Sequence, residues 1–162
     1  MVSMSSTVVA VERVVPADPH TVFELLADPA QHVLLDGSGS VRRAREDNPA
    51  RLAKGARFGM DMRLGLPYRI TNVVVEFEED RRIAWRHFAG HRWRYLLTPV
   101  VAEDSGTGQV ETLVREEWDP TRVPQLGACY RVLGFPERNR AGMHATLERL
   151  AAAVATRPDP RP

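Results

Sequence analysis

The chain carries a single cysteine, Cys129, among 162 residues, so no internal disulfide can form and disulfide-stapled secreted scaffolds are excluded. No group of Cys and His has zinc-ligand spacing, and neither a metal nor another cofactor is expected. Long apolar runs are missing as well. None approaches the roughly 20 residues that a bilayer crossing takes, and residues 1–13 have no basic start ahead of an apolar stretch. Membrane insertion and export are therefore not expected, and a reduced cytoplasmic setting is. Charge of one sign is equally scarce: 22 basic residues, all arginine except Lys54, are mixed with 21 acidic ones to a net charge of +1. No basic tract marks a nucleic-acid partner. HExxH, GxSxG and dinucleotide-binding fingerprints are all absent, so no motif names a reaction.

What is present is the composition of one ordinary globular domain, 43% hydrophobic and 27% charged. A single domain over residues 1–155 is expected, followed by a disordered tail, 156–162, rich in proline and charge. Residues 7–15 are β-branched and predict a strand. Asp18 then stands as a helix cap with Pro19 at the first helical position, and Val22, Phe23, Leu25 and Leu26 form the apolar stripe. Asp28-Pro29 stops that helix, and a second short one over 29–35 is expected to turn Val33 and Leu34 inward. From residue 40 to 119 the period is two, which predicts six antiparallel strands over 40–45, 56–64, 68–78, 82–88, 91–101 and 109–118. Residues 120–136 hold three prolines and two glycines and read as a loop with one irregular turn near 128–133. A long helix closes the chain, with Arg140, Met143, His144, Leu147, Leu150, Ala151 and Val154 at steps of three and four.

Strand phase sorts side chains by face. Phe58, Met60, Met62 and Leu64 alternate with Arg57, Gly59, Asp61 and Arg63, while Ile83, Trp85 and His87 alternate with Arg82, Ala84 and Arg86. Trp93, Tyr95 and Leu97 oppose Arg92 and Arg94. In the last strand Glu116 shares a face with Val110, Thr112, Val114 and Trp118, which turns a carboxylate inward, where charge is costly without a partner. Arg140, His144 and Tyr95 are its candidate partners. They form either an ion pair closing one end of the fold or a network that orients a ligand and raises the carboxyl pKa. His87 and His91 flank the Ala89-Gly90 turn and are expected at a solvated rim. His32 is expected near a cavity mouth, and Asp36, Asp61 and Glu117 in solvent. Cys129 and Tyr130 precede the last helix, where they are placed to gate an entrance.

The segments VERVVPADPHTVFELLADP, RIAWRH, REEWDPT and GFPERNRAGMHATLERL, in this order, resemble the START-like (SRPBCC) superfamily, particularly its polyketide cyclase/dehydrase and lipid-transport group. The resemblance covers about residues 7–154. It implies an α+β helix-grip fold: a curved seven-stranded antiparallel sheet wrapped around a long C-terminal helix, with two short helices after the first strand. It also implies a cavity between sheet and helix.

On that frame Phe58, Met60, Met62, Trp85 and Trp93 are the candidate apolar wall, with Tyr95, Glu116 and His87 fixing orientation. The same alternation equally serves plain core packing. The leading expectation is a carrier or sequestering protein for a small hydrophobic or amphipathic molecule, aromatic, polyketide-like or lipid-like. An alternative is a cyclase or dehydratase in which Glu116, Tyr95 or His87 moves protons. A third is a protein-interaction module of the chaperone-activator kind. A monomer or homodimer fits each.

Overall fold

The computed structural model describes residues 8–87, 89–102 and 108–156. Alternating valines start β1, Val9–Val15. The Asp18 side chain caps α1, Pro19–Ala27, by accepting from the Thr21 backbone N–H at 3.1 Å and the Thr21 hydroxyl at 2.8 Å. One helical turn, α2 (His32–Leu35), leads to β2 (Val41–Ala44), β3 (Arg57–Leu64), β4 (Leu66–Glu78), β5 (Arg82–Arg86), β6 (Arg92–Val101) and β7 (Val110–Asp119). These strands pair antiparallel in the order β1-β7-β6-β5-β4-β3-β2. Register shifts between Val41 and Arg43 and between Val74 and Glu76 help bend the sheet. After a 3-10 turn at Pro124–Leu126 come α3 (Gly127–Val132) and α4 (Phe135–Ala155). α4 lies along β1 and also meets β7, α1 and α2. The result is the α+β helix-grip arrangement, a curved seven-stranded sheet closed by a terminal helix.

Several boundaries and facings differ from the sequence reading. Within residues 120–136 the turn expected near 128–133 is a regular helix, α3, and α4 already starts at Phe135. Pro136 sits in the first turn of α4, where no amide hydrogen is needed. The apolar face of α4 is Met143, Leu147, Leu150 and Val154, with Thr146; Arg140 and His144 lie outside it, exposed. In α2 it is Leu35 that is buried, while Leu34 is 68% exposed and Val33 only half-buried. Glu117 is buried rather than solvated, and Asp36 and Asp61 are half-buried. Residue 7, Phe88 and 157–162, on which parts of the strand and tail expectations fall, lie outside the described residues.

The convex face carries a ladder of charges. Glu12 on β1 pairs with Arg115 on β7 at 2.7 Å, and Arg115 with Glu117 at 2.6 Å. Glu117 pairs with Arg94 on β6 at 2.7 Å, and Arg94 with Glu76 on β4 at 2.8 Å. Arg92 and Arg82 also reach Glu76, at 3.1 and 3.5 Å. Burial by itself would raise the Glu117 carboxyl, but the bonds from Arg115 and Arg94 outweigh it and hold it below its usual range. Isolated surface pairs contribute about 0.2–1 kcal/mol each. Sharing ions across β1, β7, β6 and β4 lets one set of fixed side chains serve several contacts.

On the other side, the loop after α2 presses directly onto α4. Gly37 donates its N–H to Thr146 Oγ1 at 2.9 Å, and Arg149 bonds the Asp36 carbonyl. A Cβ at residue 37 would stand 2.3 Å from the Thr146 backbone nitrogen and 2.5 Å from the Gly142 carbonyl oxygen. The glycine is required for space. Gly37→Ala is expected to cost about 1–3 kcal/mol, the usual penalty of overpacking, seen as a lower midpoint in urea denaturation. An unchanged midpoint would mean the loop and helix are not held this closely.

Candidate ligand-binding site

Because successive residues of a strand face opposite ways, the alternation that sends Arg92 and Arg94 outward sends Trp93 and Tyr95 inward. Between this concave face and α4 lies a cavity of about 610 Å³. All eight side chains singled out from the sequence stand on its wall: Phe58, Met60 and Met62 on β3, Trp85 on β5, His87 just after it, Trp93 and Tyr95 on β6, and Glu116 on β7. Leu26, His32, Leu35, Ile70, Asn72, His91, Trp118, Tyr130, Phe135 and Thr146 line it as well. Among the described residues no group of three His, Cys, Asp or Glu side chains is placed to hold a metal ion.

Glu116 is the polar centre of this wall and is 1% exposed. Its Oε1 accepts from Trp93 Nε1 at 2.7 Å and from the Tyr95 hydroxyl at 2.8 Å. No arginine or lysine among the described residues pairs with it, and the expected partners Arg140 and His144 point to solvent. Ionising a buried carboxyl costs several kcal/mol in lost hydration. Each bond to an ionised group returns only about 1.5–3 kcal/mol. Desolvation therefore wins, and the pKa is pushed up to about 8 despite the two donors. Indole nitrogen can only donate, so Oε1 is the carbonyl-type oxygen and the proton of the neutral acid resides on Oε2. Oε2 is buried and has no hydrogen-bond partner among the described residues.

Asn72 is the residue that sequence reasoning missed. It lies opposite Phe58 on β4, 3% exposed, with its Oδ1 also lacking a partner among the described residues. The available signal was an amide in phase with Ile70 and Val74, the same test that brought Glu116 forward.

Three histidines, His32, His87 and His91, belong to the wall, and burial favours their neutral form. His32 donates Nε2–H to the Leu26 carbonyl at 2.8 Å and stacks on Trp85, with ring centroids 5.0 Å apart. Burial lowers its pKa. His87 and His91 stack at 4.8 Å, and His91 Nδ1 bonds the Tyr130 hydroxyl at 3.2 Å. They are half-buried, contrary to the solvated rim expected beside a turn, because Tyr130 and Trp118 pack onto His91. Burial pushes His87 down to about 4 and His91 to about 3. Tyr130 thus lines the cavity beside its opening, while Cys129 is exposed and lines none of it.

A curved antiparallel sheet that grips a terminal helix around an internal cavity defines the helix-grip class of START-like proteins. The chain belongs to the polyketide cyclase / dehydrase and lipid transport family, whose profile matches residues 6–155. It is 36% identical over 148 residues to the uncharacterized protein Rv0088 of Mycobacterium tuberculosis, a match spanning 87% of this chain and 61% of that one. The chain thus spans about three-fifths of the length of that relative. Protein CV1439 of Chromobacterium violaceum has a similar fold, with a TM-score of 0.63 and 20% identity, covering 94% of this chain and 98% of that one. So does DynU16, a protein of the dynemicin biosynthetic locus, with a TM-score of 0.56 and 22% identity over 92% of this chain and 47% of that one.

The buried titratable groups give the fold a two-sided pH response. Between its ordinary value of 4.5 and about 8, Glu116 keeps in the native state a proton that the unfolded chain has released, so stability falls as pH rises through this window. His87 and His91 act oppositely: the unfolded chain takes up protons below 6.5 that the native state refuses until about 4 and 3, so stability falls on acidification. Thermal melts from pH 5 to 9 are expected to show Tm declining on the alkaline side in the native chain and much less in Glu116→Gln. Parallel declines in both would mean that another group is responsible.

Proposed function

We propose that the cavity binds an uncharged, amphipathic small molecule with a planar aromatic or polyketide-like body, and that carrying or sequestering it is the protein's activity. The observation that carries this reading is the buried Glu116 carboxyl, whose Oε2 has no hydrogen-bond partner among the described residues, and burial favours its neutral form. Leaving a buried donor unsatisfied costs about 1–3 kcal/mol, a penalty that a ligand carbonyl or ether oxygen removes. Asn72 Oδ1 offers the complementary acceptor for a hydroxyl. Volume is adequate, since pockets for drug-sized ligands run from roughly 300 to 1,000 Å³. Trp85, Trp93 and Phe58 supply flat faces, and Met60 and Met62 adapt to shape. Membership of a family named for polyketide cyclisation and lipid transport agrees with this ligand class.

A second reading rests on the same acid. A carboxyl titrating near 8 is protonated at neutral pH and suited to protonate a carbonyl oxygen, as a cyclase or dehydratase requires.

Native mass spectrometry of the freshly purified protein is expected to show a retained small molecule, or uptake of an added apolar dye. Met60→Asp, which puts a charge into the wall, is expected to abolish uptake while the far-ultraviolet circular dichroism stays native. Glu116→Gln separates the two readings. Its amide still donates a hydrogen bond, so a binding role survives within a few-fold in affinity, whereas a proton-donating role loses turnover by roughly 100-fold or more. Uptake that ignores Met60→Asp would remove the cavity from consideration.

A further inference from the structure

Two tips frame the cavity opening, and they are built alike. The β3–β4 hairpin reads Arg63-Leu64-Gly65-Leu66-Pro67-Tyr68-Arg69, and the link from α3 to α4 reads Arg131-Val132-Leu133-Gly134-Phe135-Pro136-Glu137-Arg138. In each, a glycine at positive φ (74° at Gly65, 69° at Gly134) turns the chain, apolar residues occupy the turn, and an arginine stands at either end. Leu64 and Tyr68 of the first and Phe135 and Arg138 of the second line the same cavity, and the Arg138 charge acts on the Tyr68 hydroxyl. The two tips therefore flank one opening.

Their apolar side chains are turned to water. Leu66 is 79% exposed, Val132 87% and Leu133 59%. Single exposed leucines are ordinary, but a group of them around a cavity mouth marks an interaction surface. The arginines identify the partner. Arg63, Arg131 and Arg138 have no carboxylate within ion-pair distance among the described residues, and Asp61 is shared by Arg43 and Arg69. Glu137 is the one acid within the two tips. A second copy of the chain meeting this face across a two-fold axis would set arginine against arginine. A surface that is apolar beneath and negative on top fits both features.

We propose that the two tips dock the protein onto anionic phospholipid surfaces, lying on the bilayer without spanning it, with the cavity opening toward the lipid. Leu66, Val132 and Leu133 enter the boundary between headgroups and acyl chains, and the bracketing arginines meet lipid phosphates. Docking depends on the outer rim alone and stands whether or not the cavity holds a ligand.

Co-sedimentation of the full chain with vesicles of phosphatidylcholine, with and without phosphatidylglycerol, tests this. Binding is expected only to the anionic vesicles and is weakened by salt. It is expected to fall at least about tenfold in Leu66→Asp/Val132→Asp and in Arg63→Glu/Arg131→Glu. These positions are exposed, and thermal melts verify that each variant folds; Leu66→Ser/Val132→Ser serves if the charged pair does not. Three outcomes overturn the proposal: no vesicle binding by the native chain, equal binding to neutral and anionic vesicles, or binding that both double variants retain. A dimer in light scattering that Leu66→Asp/Val132→Asp dissociates would assign the face to a second copy instead. Retention of small molecules, measured separately by native mass spectrometry, reports on the cavity, so failure of one reading is distinguishable from failure of the other.

Discussion

A strand presents its side chains alternately to two faces, and along β6 and β7 that constraint decides everything else. It assigns Arg92, Arg94, Arg115 and Glu117 to the convex side, where they link into a ladder with Glu76 and Glu12. It assigns Trp93, Tyr95, Glu116 and Trp118 to the concave side. The separation of the two sets leaves Glu116 with hydrogen-bond donors and, among the described residues, no paired cation. Had a single residue been inserted in β7, the acid would join the ladder and the cavity would lose its polar centre.

Glu116 then illustrates how burial and hydrogen bonding compete. Tyr95 and Trp93 both favour the ionised form, yet the loss of water outweighs them. The outcome is a wall that carries no charge near neutral pH in its deep part: a protonated acid, neutral histidines, an amide, and otherwise apolar and aromatic groups. Two charged side chains, half-buried Asp36 and exposed Arg138, also line the cavity, and other charges lie on the sheet's outer face and on the helix surfaces. Beside Glu116 and Asn72 a molecule meets hydrogen-bond donors and acceptors.

Much of this was legible in the sequence because period two is strict. Phe58, Met60 and Met62 on β3, Trp85 on β5, and Trp93 and Tyr95 on β6 were phased from alternation alone, and their side chains share one wall. The readings that failed depended on weaker signals. Four residues of α2 make a single turn, too short to define a face, and so Leu34 was turned inward where Leu35 belongs. Arg140 and His144 share the three- and four-residue spacing with Met143 and Leu147, but the buried stripe runs beside them. α3 reads only as an irregular turn because Pro124, Gly127 and Gly134 mark breaks without showing that the six residues of Gly127–Val132 still form a helix. The partnership of Trp93 with Glu116 crosses diagonally between strands and is visible only in three dimensions.

The placement of the indoles has a practical corollary. The chain contains three tryptophans, and all of them, Trp85, Trp93 and Trp118, border the same enclosed space. No indole elsewhere in the chain adds a background signal, so the ultraviolet emission of the unlabelled protein originates entirely from the chamber wall. Its colour and intensity form a built-in optical gauge of what that chamber contains.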